Sequence, residues 1–483
     1  MLRSVIPSLL ILFTASVLLG SCSGPATIAI THVTVIDVTG GPAQPDSTVL
    51  VSGAHIAAVG PSSSVATPRG AKLVDGSSKF LIPGLADMHL HLSGSGEPDG
   101  SREFFLPLLI ANGITTVRDM GGKVEYLKKL RGEIASGQRL GPQIFFTGPY
   151  LDGNPPSFQP SIVVENAAEG IAAVDNLAAE GVDFIKVQSR LQPDGYFAIA
   201  SESKKLGIRF VGHVPDSITV AQASDAGQAS IEHLTGVLLG CSTREDELRQ
   251  RQLIHPSKET ASQARERERI WQRDLLNSYS ETKASALVRK FAENHTWQVP
   301  TLVLLMDLVY LSPSNSHEND PRLKYVPQSV QTVWKQGRSE LLQNATAQDF
   351  RHRTESAERS LEVVGKMNAG GVRLMAGTDS AAPNVFPGFG LEEELTSLAR
   401  AGLTPLQALQ AATTGPAEFL GKANEQGRIA AGQRADLVLL DADPLRDIRN
   451  TRQIRAVVLN GKLLERSDLD ALLAGAAQFA SSH

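Results

Sequence analysis

The chain is poor in cysteine: Cys22 and Cys241 are the only two in 483 residues. That excludes a disulfide scaffold and a cysteine-rich zinc site. It also suits export, because free thiols are a liability in an oxidising compartment. An excess of either charge is missing too. Lys and Arg total 46 against 51 Asp and Glu, a net charge of −5, with a pI near 6.2. A protein devoted to nucleic acid needs a basic face, so no nucleic-acid partner is expected. Long apolar runs are absent beyond the N-terminus, which excludes a bundle of membrane spans. Core material is plentiful: 42% hydrophobic and 20% charged residues are ordinary globular values and exclude wholesale disorder. The length allows roughly two to four domains, or one α/β barrel of about 250 residues with a companion.

Residues 1–21, MLRSVIPSLLILFTASVLLGS, carry one positive charge at Arg3 and an apolar run from Val5 to Leu19. These are the n-region and h-region of an export signal, too short for a membrane span. The run ends in Leu19-Gly20-Ser21-Cys22, which resembles a bacterial lipobox, where the cysteine is lipidated and becomes the mature N-terminus. Ser23 follows, in place of an aspartate that would imply inner-membrane retention. The expectation is a lipoprotein on the periplasmic face of an outer membrane, with lipid on Cys22 as its only membrane contact. An ordinary signal peptide, giving a soluble periplasmic or secreted protein, is the alternative.

Residues 26–82 consist of short β-branched runs punctuated by turns, as in ITHVTVIDV, STVLVSGAHIAAVG and AKLVDGSSKFLIPG. Similar composition returns only after Gly427, in GRIAAGQRADLVLLDADP and IRAVVLNGKLL. Neither part makes a core alone, so 26–82 and 420–467 are expected to form one discontinuous β-sandwich. Between them, over 83–419, apolar strands alternate with helical stretches such as SREFFLPLLIANG and ERSLEVVGKMNAGG. The strands are LADMHLHL, GITTVRDM, PQIFFTG, VDFIKVQ, IRFVGHV, ASIEHL, WQVPTLVLL and VRLMAGTD. That alternation predicts a (β/α)8 barrel, an α/β fold whose chemistry sits at the C-terminal ends of its strands. A charged stretch near 241–296 exceeds an ordinary connection and reads as a solvated helical insertion, with a substrate-covering lid as the alternative. Residues 468–483 read as a small surface helix with a frayed end.

His89-Leu90-His91 closes the first strand, and residues i and i+2 of a strand share a face, so both imidazoles converge as a metal requires. An HxH alone is weak evidence, because paired surface histidines are commoner. Further polar residues stand at other strand ends: His213 closes GIRFVGHV, His233 closes ASIEHL and Asp379 closes VRLMAGTD. Lys186 lies inside the apolar VDFIKVQ, where an unpaired ammonium is expensive. Each residue taken singly reads as a satisfied core group. Together, on strands all round one barrel, they are hard to assign to packing, and four of the chain's 11 histidines are among them.

These residues carry a resemblance. The chain resembles the amidohydrolase superfamily, in its imidazolonepropionase-like and prolidase-like (Xaa-Pro dipeptidase) subgroup. The similarity runs through LIPGLADMHLHL, NGITTVRDMGG, VDFIKV, VGHV, SIEHL, TWQVPTL, LMAGTDS, the block from PGFGLEEEL to PAEFLG, and GRIAAGQRADLVLLDADP. The resemblance implies two divalent metal ions, with zinc suited to so many imidazoles. His89, His91 and Asp379 would hold the first ion, and His213 and His233 the second. Lys186, converted to a carbamate by CO₂, would bridge them, which resolves the buried-lysine problem. Asp379 would serve as general base and then acid. The implied reaction is hydrolysis of amide bonds in a small-molecule or peptide substrate, chiefly dipeptides or N-acyl amino acids. A homo-oligomer is compatible with the family.

A substrate carboxylate needs a cation, and Arg118 and Arg190 stand near strand ends; structural salt bridges explain them equally well. Tyr150 and Tyr325 are candidates for hydrogen bonding to substrate, although most tyrosines simply pack. In NVFPGFG, many relatives place a histidine where this chain has Pro387 or Phe389, which implies a more apolar pocket. Two other readings stay open: a mononuclear cyclic-amide hydrolase or deaminase, for which Asp216 is a candidate acid, and a non-catalytic envelope binding protein.

Overall fold

The computed structural model describes residues 28–93, 100–254, 259–311, 317–380 and 382–482. The expected signal segment and Cys22 lie outside the described residues. The chain opens with strands β1 (Ile28–Val35), β2 (Gln44–Ser52), β3 (His55–Pro61), β4 (Lys72–Asp75) and β5 (Phe80–Pro83). Next come β6 (Leu85–Leu90), β7 (Ile114–Asp119), β8 (Gln143–Phe146), β9 (Tyr150–Asp152), β10 (Ser161–Val163), β11 (Ile185–Val187), β12 (Phe210–Gly212), β13 (Ser230–Glu232) and β14 (Trp297–Val299). It returns to strand structure with β15 (Leu437–Leu440), β16 (Ile454–Leu459) and β17 (Lys462–Glu465).

The two ends of the chain meet in one eight-stranded sheet, ordered β17-β16-β15-β5-β1-β2-β3 with β4 beside β1. The joint is β5 against β15, antiparallel from Leu437 opposite Pro83 to Leu440 opposite Phe80. The sheet curls back on itself: Ile56 N donates to Gln433 O (2.8 Å) and Gly432 N to Ile56 O (2.8 Å). Inside the curl, Ile30, Val33, Val49 and Val51 from the first end pack with Leu437, Leu439 and Val458 from the last. Each side chain so buried contributes about 1.5–3 kcal/mol, and neither end holds enough of them to form this core alone.

The barrel strands run parallel, β6-β7-β8 in one group and β9-β11-β12-β13-β14 in another. The third barrel strand is interrupted: β8 pairs with β7, while its continuation β9 pairs with β11, Leu151 opposite Val187. Residues 373–380 take the place of the eighth strand as an extended segment with two isolated parallel bridges, Leu374 with Gln298 and Ser380 with Leu90. On one side Gln298 N donates to Arg373 O (3.0 Å) and Met375 N to Gln298 O (2.9 Å). On the other, Met88 N donates to Ala376 O (2.9 Å) and His91 N to Ser380 O (2.8 Å). These bonds close the circuit, with Met88, Phe184, Trp297, Met375 and Phe419 packed inside it. Gly377 is required at this seam, because a Cβ there would lie 2.8 Å from His89 Cβ and 2.6 Å from Val299 Cγ1.

The seventh strand is shorter than WQVPTLVLL suggests. It ends at Val299, Thr301 turns with φ +46°, and Leu302–Tyr310 is helical. A continuous apolar run has no periodicity to separate strand from buried helix, and the Glu394 carboxylate settles the choice by accepting from Val303 N at 2.7 Å on the first turn. Between β13 and β14, helices Glu245–Leu253 and Ala261–Asn277 precede helix Glu281–Glu293. A second excursion places helices Gln328–Leu342 and Ala347–Ala369 before the eighth strand; the helical stretch ERSLEVVGKMNAGG is the second half of the latter, and the rest was not recognised from sequence. The C-terminal helix, Arg466–Ser482, is not a frayed end: it buries Leu469, Ala476 and Ala480, and Phe479 stacks on Phe104 with ring centres 6.1 Å apart. Among the described residues, no helix is long and apolar enough to cross a membrane.

Candidate metal centre

His89, His91 and Asp379 converge at the C-terminal mouth of the barrel, with one ligand-capable atom of each within 4.8 Å of the others. The β6–β7 pairing slips between Asp87 and Leu90, and such a bulge re-aims the side chain it carries, here His89. Asp379 Oδ1 lies 3.1 Å from His91 Nε2 and 3.5 Å from His89 Nε2. Asp379 has φ +60°, an unusual conformation for a side-chain-bearing residue and one that clusters at functional sites. Its backbone is fixed by donation from Asp379 N to His89 O at 2.7 Å.

The other two histidines close the ring of imidazoles. His233, at φ +57°, has its ring centre 4.5 Å from that of His89 and 5.0 Å from that of His213. All four bond to the protein through Nδ1. His89 Nδ1 meets Glu232 Oε2 at 2.8 Å, and His213 Nδ1 meets Ser189 Oγ at 2.9 Å. His233 Nδ1 meets Thr301 Oγ1 at 2.7 Å, while that hydroxyl donates to Pro300 O at 2.9 Å and so accepts from the ring. His91 Nδ1 lies 3.4 Å from both Gly121 O and the Tyr150 hydroxyl. In His89, His213 and His233, with Nδ1 occupied, Nε2 remains as the unprotonated nitrogen that a cation needs, whereas His91 Nε2 faces Asp379 Oδ1 at 3.1 Å. His89 Nε2 is buried without a hydrogen-bond partner, as expected of an atom whose partner is a metal ion.

Lys186 is buried near these imidazoles, its Nζ 5.8 Å from the centre of the Tyr150 ring. Burial pushes its ammonium down to about 8, against the pull of Glu232 and Asp379. Burial and then the Lys186 charge hold His89 and His213 well below the usual imidazole range. For His233, burial outweighs Asp379 and also lowers it. Asp379 goes the other way from burial: His233 and the bond from His91 hold its carboxyl below the ordinary value. His89, His213 and His233 are therefore held as neutral imidazoles beside an ionised Asp379, the protonation states of metal ligands.

Beneath the ligands lies a buried polar truss. Arg118 Nη2 donates to Glu232 Oε1 at 2.9 Å, Nη1 to Ser230 Oγ at 3.2 Å and Nε to Met88 O at 2.7 Å. Asp87 accepts from Thr378 Oγ1 at 2.7 Å and from the backbone of His89 and Thr378, each at 3.1 Å. Burial nonetheless pushes the Asp87 carboxyl up to about 7. Glu232, Ser189, Thr301 and Asp87 were missed by sequence reasoning, although each stands within one or two residues of a recognised motif, in SIEHL, KVQS, VPTL and ADMHLHL.

Of the residues proposed to touch substrate, Tyr150 alone lies beside the ligands. Arg118 does not reach the mouth: it is fully buried below it, beside the stacked Phe184 and Phe419 rings, and braces Glu232. Arg190 is exposed on the rim, its guanidinium bonded to Pro155 O at 2.8 Å. Tyr325 stacks on Phe389 with ring centres 5.6 Å apart, and Phe386 packs on Trp334, so the NVFPGFG segment joins an apolar cluster. Asp216 accepts from Gln252 Nε2 of the first insertion helix at 2.8 Å.

Residues 80–464 match the Amidohydrolase family. The chain belongs to the amidohydrolase family. Among curated members, this amidohydrolase is 47% identical over 68 residues to an imidazolonepropionase of Rubrobacter xylanophilus, a match spanning 14% of this chain and only 16% of that relative. Two solved structures resemble its fold over nearly the whole length. A bottromycin amidohydrolase superposes with a TM-score of 0.74 and 23% identity, covering 95% of this chain and 91% of the other. A Xaa-Pro dipeptidase with methionine bound in its active site gives 0.63 and 19%, covering 91% and 99%.

Proposed function

We propose that the protein is a metal-dependent hydrolase of amide bonds, acting on dipeptides, N-acyl amino acids or related peptides. The observation that carries this reading is the common use of Nδ1 by His89, His213 and His233, which leaves their Nε2 atoms for metal, together with the convergence of His89, His91 and Asp379. His89, His91 and Asp379 would hold one divalent ion, zinc by preference for imidazole, and His213 and His233 a second. When bound, such ions polarise a carbonyl and make a nucleophile of water near neutral pH.

Lys186 would link the two halves as a carbamate. Its lowered amine affinity for protons favours the neutral form, whose nitrogen lone pair attacks CO₂ and releases one proton, leaving an anion where an ammonium was costly. Asp379 takes the proton from the attacking water at a carboxylate oxygen and delivers it to the leaving nitrogen. Glu232 and Thr301 hold His89 and His233 in orientation throughout. Tyr150, whose hydroxyl burial keeps protonated, offers an O–H beside His91. We also propose export and lipid anchoring through Cys22, supported by the apolar run and the residues that end it.

The test is elemental analysis of protein prepared with zinc and bicarbonate, followed by assay against a dipeptide panel. About two metals per chain and dipeptide turnover are expected. About one metal, with turnover of cyclic amides or nucleobases, would establish the mononuclear reading instead.

A further inference from the structure

Insertion helix Ala261–Asn277 walls a cavity beside the metal centre. A cavity of about 260 Å³ opens against His233 and Ser189, and Trp271, Gln272 and Leu275 of that helix bound it. A second cavity of about 470 Å³ lies where the same helix faces helices Gln328–Leu342 and Ala347–Ala369, away from every metal-ligand candidate. Gln272, Leu305 and Ser356 line both.

We infer that the two cavities are one substrate channel, and that the substrate is an oligopeptide reaching from the metal centre past Leu305 and Ser356. This inference rests on the amide-hydrolase reading. The first cavity alone is smaller than the roughly 300–1,000 Å³ of pockets that engulf small molecules, and the second brings the site into that range. The walls choose the occupant. The inner chamber mixes Leu238 and Trp271 with Asp216 and Gln252, and the outer one sets Arg265 and Arg353, beside Glu268 and Glu340, against an apolar side of Leu305, Leu308 and Leu341, so the occupant must meet both apolar surface and charge. A long alkyl chain laid there would strip water from charges without replacing its hydrogen bonds. A peptide brings a donor and an acceptor at every residue. The channel is also braced. Arg269 Nε and Nη2 grip the Asp349 carboxylate at 2.7 and 3.0 Å, tying the insertion helix to helix Ala347–Ala369, and Trp271 Nε1 donates to Leu248 O at 2.9 Å.

The experiment measures kcat/KM of the full, zinc-loaded chain on peptides of two to five residues sharing one scissile bond, and on the dipeptide carrying a long N-acyl chain. Ser356→Phe narrows the shared point and Leu305→Ala widens it. The wild type is expected to favour the longest peptide over the dipeptide by about tenfold. Ser356→Phe should lower that ratio about tenfold, and Leu305→Ala should raise it. A flat length profile, or ratios unmoved in both folded variants, overturns the channel while leaving the hydrolase reading intact. Preference for the acylated dipeptide overturns the peptide assignment. Absence of turnover on every substrate overturns the hydrolase reading and the channel with it.

Discussion

Glu232 and His89 stand 143 positions apart and meet at 2.8 Å, carboxylate Oε2 to imidazole Nδ1, both shut off from solvent. A candidate ligand on the first barrel strand is thus oriented from the sixth, and the carboxylate doing so is anchored by Arg118 on the second.

Glu232→Gln therefore acts on more than one group. It leaves the Arg118 guanidinium buried without the carboxylate it is bonded to, a loss of about 3–5 kcal/mol where buried pairs are broken. Metal affinity should fall about 10- to 100-fold, as when the outer partner of a ligand is removed. Urea unfolding and chelator-competition titration measure the two effects separately.

Thr301→Val deletes the acceptor of His233 Nδ1 while keeping the shape of the side chain. Stability should drop by about 1–3 kcal/mol, the cost of an orphaned buried donor. Competition titration should show one of the two metals weakened about 10- to 100-fold with the other unchanged.

Lys186 makes the stability of metal-free, uncarboxylated protein depend on alkaline pH. Its proton affinity falls from the ordinary 10.5 to about 8 on folding, so between these values the unfolded chain binds more protons and stability rises with pH. The gain is complete above 10.5 and is lost as pH falls towards 8. Relative to Lys186→Met, the wild type should gain about 2–3 kcal/mol from pH 8 to 10, read from urea midpoints. Lys186→Met should also bind a single metal and lose amide turnover.

Phe479→Ala tests the docking of the C-terminal helix on Phe104. A half-buried ring should cost about 2 kcal/mol, less than the roughly 3–5 of a core phenylalanine. Metal content should not change, because neither ring of the stack belongs to a ligand candidate.

The metal-ligand candidates were legible because each ends an apolar strand, where a polar residue breaks a simple pattern. Their supports were not. Thr301 and Ser189 are ordinary residues in ordinary places until the turn at φ +46° and the end of β11 bring them to His233 and His213. Arg118 sits at a strand end like a ligand, yet it points down the barrel axis, and strand alternation alone does not separate those directions. Helix Gln328–Leu342 and the first half of Ala347–Ala369 escaped notice because their surfaces pair charge with charge, as in Arg269 with Asp349, and little in such a pattern announces a wall.

The joining of β5 to β15 has a consequence for the order of assembly. A ribosome delivers β5 early and β15 only after the whole barrel has been made, so the small sheet stays open along one side throughout synthesis. An exposed strand edge is a site of mispairing. The seam between the chain's ends must therefore be sealed last, which makes the integrity of the final strands a condition for protecting the first.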